Sequence, residues 1–191
     1  RVIALDALKP VAESLGRELR DTASLRDFLE YWPANDTALA MVADHLRRHD
    51  WQHPALSAAA VDVALLRVHA PIENPRQFFC SGANYRQHVI DLIMDQHRAA
   101  HENDMTEAER LAYAHDLMDK RQKGEPYIFS KAWSSITGPF DPIPVAAAED
   151  QPDWELELAV VIGRECWQLS EDNALDAVAG YTLVNDITNR E

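Results

Sequence analysis

The sequence predicts an α+β protein whose first region is largely helical and whose last third is β-rich. Apolar stripes at helical spacing, several opened by capping residues, occupy much of the first two thirds. A strict two-residue alternation runs from Asp153 to Gly163. After Pro126, Gly138-Pro139, Pro142, Pro144 and Pro152 break the chain into short runs joined by tight turns.

Taken in order, Ser24-Leu-Arg-Asp27 is a capping signal ahead of Phe28, Leu29 and Trp32. From about Asp36 to Asp50, Leu39, Val42 and Leu46 share one stripe, and Arg47, Arg48 and His49 suit the negative end of the helix dipole. A loop at Trp51 to Pro54 leads to Val61, Val63 and Leu65, whose alternation reads as a short strand. Pro71 and Pro75 bracket a loop before the strand-like Phe78-Phe79-Cys80. Gly82 permits a turn into a helix beginning near Asn84, with Tyr85, Val89, Leu92 and Ile93 on one face. Thr106-Glu-Ala-Glu109 is a capping box opening a helix striped by Leu111, Leu117 and Met118, with Gly124 as its stop. Ser170 caps a helix to Val178, ended by Gly180, and Tyr181 onward reads as a strand. Arg1 opens inside the apolar run Val2, Ile3 and Leu5, and the final strand has no closing turn, so the sequence reads as part of a longer protein.

Bulk composition narrows the class. Hydrophobic residues at 47% and charged residues at 26% are ordinary for a soluble globular protein. A formal net charge of -14 repels phosphate backbones, which argues against a nucleic-acid partner, and it attracts cations. No apolar run approaches the roughly 20 residues of a membrane span, and no secretory leader pattern opens the chain. Cys80 and Cys166 stand in no metal-binding spacing, which fits reduced thiols in a cytoplasmic protein.

Read as a strand, Asp153 to Gly163 puts Trp154, Leu156, Leu158, Val160 and Ile162 on one face. Asp153, Glu155, Glu157, Ala159 and Val161 fall on the other. Residues two apart on a strand are about 6.5–7 Å apart, so Glu155 and Glu157 can converge on one cation. The plain alternative is a solvated strand face. Against it, the acidic face turns apolar at Ala159 and Val161, as a face entering cover does. Carboxylates entering cover repel unless a cation or proton lies between them, and such hard oxygens suit Mg²⁺, Mn²⁺ or Ca²⁺. Spacing alone leaves both readings open. Asp186, among Leu183, Val184 and Ile187, supplies a third carboxylate, with neutralisation by Arg190 as its alternative.

His88 and Asp91 stand three residues apart on a predicted helix, hence on one side of it. A carboxylate beside an imidazole orients it and favours its protonated form, as a general base needs, although most such pairs are surface contacts. His97 and His101 share helical spacing but lie in a polar stretch and read as solvated. No nucleophile elbow, phosphate loop or dinucleotide fingerprint is present.

Four elements in order then resemble the fumarylacetoacetate hydrolase family. They are Gly82-x-Asn84-Tyr85-x-x-His88, Tyr127-Ile-Phe-Ser-Lys131, Glu155-Leu-Glu157-Leu-Ala-Val-Val-Ile-Gly163, and Gly180-Tyr181-Thr-Leu-Val-Asn185-Asp186-Ile-Thr188-Asn-Arg190. The resemblance covers roughly residues 60–191 and is similar to the broad bacterial branch of the family. It implies a β-rich mixed-sheet roll, usually homodimeric, with Mg²⁺ or Mn²⁺ held at Glu155, Glu157 and Asp186. It also implies that His88, backed by Asp91, activates water, that Lys131 lies near substrate, and that Tyr85 forms a pocket wall. Residues 1–70 are then a helical and β N-terminal region, and 71–191 the first part of the catalytic domain.

Three departures bear on this. Asp91 stands where many members have glutamate, and Ser81 where the fumarylacetoacetate-cleaving branch has a further aspartate. The segment between His88 and Pro126 is longer than in compact members, adding the helix near 107–120. The family's C-terminal half, with another lysine and a Gly-Thr-Pro loop, is absent. The leading expectation is metal-dependent hydrolysis of a C–C bond in a 1,3-diketo acid. Decarboxylation, hydration or isomerisation of a 2-oxo acid uses the same enolate chemistry, and a non-catalytic scaffold retaining the fold is the reading from another class.

Overall fold

A computed structural model describes residues 1–49, 53–99, 105–144 and 151–189, without the side chains of residues 55 and 96–99. It is an α+β structure in two compact units, one formed by residues 1–74 with 136–191 and the other by 75–135. Division in space thus differs from division along the sequence, because the last strands group with the N-terminal helices.

In the first unit, α1 (Lys9–Ser14), α2 (Leu25–Glu30), α3 (Trp32–Arg48) and α4 (Pro54–Ala59) surround one apolar core that includes Val11, Phe28, Val42, Leu46 and Leu56. The Ser24 hydroxyl accepts from the Asp27 N–H at 3.1 Å, so the predicted cap forms. Asn35 on α3 is fully buried and ties the preceding loop down. Its carbonyl accepts from the Arg20 N–H at 2.9 Å, and its amide donates to the Arg20 and Phe28 carbonyls at 3.0 and 2.8 Å.

The same unit carries an antiparallel ribbon. β4 (Leu156–Ile162) pairs with β5 (Val178–Asn185), and a shorter ladder joins β3 (Pro152–Asp153) to β6 (Thr188–Asn189). Alternation along β4 is as expected: Glu157, Ala159 and Val161 are half-buried, whereas Leu156, Leu158, Val160 and Ile162 are exposed. At the end of β4, Gly163 lies against Trp32. A Cβ there would come within 2.4 Å of the indole Cδ1 and 2.7 Å of the Ala179 Cβ, so only glycine fits.

The second unit holds the ribbon β1 (Phe79–Gly82) with β2 (Tyr127–Ser130), and the helix pair α5 (Arg86–Ala99) and α6 (Glu107–Arg121). Val89, Ile90, Ile93, Met94, Ala114 and Met118 form its core. The Thr106–Glu109 capping box forms in full.

Several expectations are corrected. Val63–Leu65 is a short 3₁₀ turn rather than a strand, because the Asp62 carboxylate accepts from the Ala64 N–H at 3.0 Å; Val61 makes only an isolated bridge to Val2. The helix expected from Ser170 shrinks to a 3₁₀ turn at Ala174–Ala177, since Val178 to Gly180 are taken up in pairing with β4. The apolar stripe of α5 shifts to Ile90 and Met94 beside Val89 and Ile93, leaving Tyr85 outside the helix and half-exposed; Leu111 is exposed too. Of the expected mixed-sheet roll, the described residues form three two-stranded antiparallel ladders. Neither Cys80 nor Cys166 is in a disulfide, and no helix among the described residues is long and apolar enough to cross a membrane.

Candidate metal and active site

Register, not sequence separation, sets Asp186 opposite Glu155. Leu156 pairs with Asn185, and one step outward the Asp186 N–H donates to the Glu155 carbonyl at 2.8 Å. Asp186 therefore stands directly across the ribbon from Glu155, where facing Cβ atoms are about 4.5–5.5 Å apart. Glu157 lies two residues along on the same face as Glu155. The Asn185 side chain secures this end by accepting from the Glu155 N–H at 2.9 Å. Asp186 is 7% exposed, the deepest ionisable side chain in this cluster, and Glu155 and Glu157 are half-buried.

The structure sets one further carboxylate beside these residues. Asp153, two positions before Glu155, places a carboxylate oxygen within 4.8 Å of a Glu155 carboxylate oxygen. Its parity on the strand was the signal that could have included it. Four carboxylates on one sheltered face, with no sulfur donor, are the hard-oxygen set that Mg²⁺, Mn²⁺ or Ca²⁺ takes. Asp153 and Glu155 approach this closely and repel unless a cation or proton sits between them, whereas the ligand atoms of Glu155, Glu157 and Asp186 do not all lie within 4.8 Å of one another among the described residues. In donor chemistry the residues present fit a divalent ion. Arg190, the alternative partner of Asp186, lies outside the described residues, as do His101 and the side chain of His97.

The second unit carries the remaining candidates. His88 is half-buried in the first turn of α5. The loop before it is fixed by a clamp: the Asn84 amide donates to the Ser81 carbonyl at 2.6 Å and the Ser81 hydroxyl to Asn84 Oδ1 at 3.2 Å. Ala83, at φ 59°, occupies the left-handed region that non-glycine residues seldom adopt and that costs of order 1–3 kcal/mol, a form of strain that recurs beside functional groups. Gly82 is packed against the Tyr127 ring, where a Cβ would come within 2.7 Å. The Asp91 carboxylate accepts from Gln87 Nε2 at 2.8 Å and borders an open groove of about 460 Å³ between α5 and α6. Tyr85 is half-exposed just ahead of α5. Lys131 follows β2, its N–H donating to the Phe78 carbonyl at 2.9 Å, so it leaves the ribbon β1–β2 at the end opposite the turn into α5.

Comparison with known proteins points to the same family. The family described as fumarylacetoacetate (FAA) hydrolase, C-terminal, matches residues 77–191. A mitochondrial oxaloacetate tautomerase of Xenopus laevis is 28% identical over 202 aligned residues, covering 100% of this chain and 53% of that protein. A 2,4-didehydro-3-deoxy-L-rhamnonate hydrolase of a Sphingomonas strain is 52% identical over 66 residues, which is 35% of this chain and 23% of that protein. A solved fumarylacetoacetate hydrolase from psychrophilic Exiguobacterium antarcticum is 30% identical with a TM-score of 0.43, covering 68% of this chain and 40% of that one. The chain belongs to the fumarylacetoacetate hydrolase family. It spans about half the length of the curated relative that it matches from end to end.

Proposed function

We propose that this chain is the metal-holding part of an enzyme that works through the enolate of a 2-oxo acid, and that it hydrolyses a C–C bond in a 1,3-diketo acid such as an acylpyruvate. The observation that carries the proposal is Asp186 buried directly across from Glu155, on the sheltered face that Glu157 shares.

Glu155, Glu157 and Asp186 would hold the ion, with Asp153 adding negative charge beside Glu155. A divalent ion bound there supplies Lewis-acid binding of the 2-oxo acid and stabilisation of enolate charge. His88 takes a proton from water, whose oxygen adds to the distal carbonyl. As the C–C bond breaks, its electron pair passes to the methylene carbon of the departing pyruvate enolate. That carbon then takes the proton back from His88, giving a carboxylic acid and a 2-oxo acid. Asp91 supports His88 in this scheme after giving up its hydrogen bond from Gln87. Lys131 neutralises a substrate carboxylate, and Tyr85 borders the substrate. The setting proposed is a cytoplasmic homodimer.

A second reading, keto–enol isomerisation of a 2-oxo acid, is favoured by the tautomerase that matches the whole chain. It needs the same enolate and a proton moved by His88, but no water addition. Product identification over a panel of acylpyruvates and oxaloacetate separates the two readings. Mn²⁺ titration of the full-length protein, followed by calorimetry, tests their common basis. Glu155→Gln is expected to weaken Mn²⁺ binding at least tenfold and to abolish turnover. Metal-dependent turnover surviving that change would sink the site, and a full-length protein that binds no Mn²⁺ would favour a scaffold.

A further inference from the structure

The start of α5 carries a charge of the wrong sign. Arg86 is its first residue, and no acidic residue lies in its first turn, so the cation sits at the positive end of the helix dipole. The compensation comes from α6. Arg86 Nη1 is 2.7 Å from Asp119 Oδ1, and Arg86 Nη2 is 3.2 Å from His115 Nδ1. His115 and Asp119 are four residues apart and so share one face of α6, and the planar guanidinium reaches both at once. His88 stands two residues after Arg86, behind the strained Ala83 turn and the Ser81–Asn84 clamp.

We propose that Asp119 is a positioning residue: through Arg86 it fixes where α5 begins and thereby aims His88. This rests on the reading of His88 as the base. It also assigns a use to α6, the helix packed against α5. The arrangement does not bear chiefly on stability. Both partners of the ion pair are about half-exposed, and such pairs contribute little to folding. A base displaced by a fraction of an ångström, in contrast, loses rate.

The test compares the full-length protein with its Asp119→Asn and Asp119→Glu forms. Amide hydrogen exchange over residues 86–90, the His88 ring signals in the NMR spectrum, Tm, kcat and KM are measured for each. Asp119→Asn is expected to speed exchange at the start of α5 about tenfold, shift the His88 ring signals, and lower kcat about fivefold. KM and Tm should hold, and Asp119→Glu should recover at least half of the loss. Unchanged exchange and ring signals overturn the proposal, whatever the activity. So does faster exchange with kcat intact, or a loss of kcat that tracks a fall in Tm and resists the glutamate. Should the parent protein turn over no 2-oxo acid, it is the proposed function that fails, and the exchange and ring signals alone then decide the role of Asp119.

Discussion

Asn35 shows how much one polar side chain can organise. It is fully buried, and its three hydrogen bonds join α3 to the loop at Arg20 and to the end of α2. Removing it breaks three hydrogen bonds, one of them buried and two part-buried, each worth about 1 kcal/mol. Asn35→Ala should therefore destabilise the protein by about 3 kcal/mol, read as a lower denaturant midpoint with an unchanged slope. A loss below about 1 kcal/mol would mean that water replaces the amide. Nothing in the sequence announced this residue, because an asparagine on the apolar side of a helix stripe looks like an interruption. Glu155, Glu157 and Asp186 draw the eye for the opposite reason: charges inside an alternating apolar run need a partner, although spacing alone leaves an ordinary strand surface equally open. Asp153 escaped because it sits at the edge of that run, where a wet carboxylate is the ordinary case.

Among the elements, α6 was the most fully foreseen, since its capping box is a local device that needs no tertiary partner. Thr106→Ala should cost about 1 kcal/mol of stability, measured by thermal or chemical unfolding. The box also has a pH signature. Hydrogen bonds from the Thr106 N–H and hydroxyl hold the Glu109 carboxyl below its ordinary value of 4.5. A depressed folded value means that the contribution is present above the unfolded value and lost as pH falls through the folded one. The deficit of Glu109→Gln against the parent, visible at neutral pH, should accordingly narrow on acidification below about 4.5. A deficit that stays constant into acid would place Glu109 outside the box in solution. The elements misread, Val61 to Leu65 and Ser170 to Val178, are those in which a single side chain or a distant strand decides. An Asp62 cap converts alternation into a turn, and pairing with β4 draws in Val178 to Gly180.

At the scale of the molecule, the α+β class followed from patterns that change character along the chain. The grouping of residues 136–191 with the N-terminal helices did not, because it depends on contacts such as Trp32 against Gly163 that no periodicity records. The ribbon β4–β5 presents the other surprise of this scale. Its outward face, from Trp154 through Leu158 to Tyr181 and Leu183, is apolar and more than half exposed, with Trp154 and Leu183 each at 69%. A continuous apolar face of this kind should bind the dye ANS in the folded state. Leu158→Thr combined with Leu183→Thr should lower that fluorescence severalfold without changing Mn²⁺ affinity. Fluorescence unaffected by the pair would locate the dye elsewhere.

Because the ribbon's two characters occupy alternate residues, they form two separate registers of information on one stretch of chain. Odd positions from Asp153 to Glu157 carry the acidic side and even positions from Trp154 to Ile162 the oily one, so a single substitution edits one without rewriting the other. A one-residue insertion has no such freedom. It would exchange the two sides at a stroke, turning carboxylates outward and leucines inward. Point changes in β4 should thus be widely tolerated on its outer side, whereas one-residue insertions and deletions between Asp153 and Gly163 should abolish folding and any metal binding together.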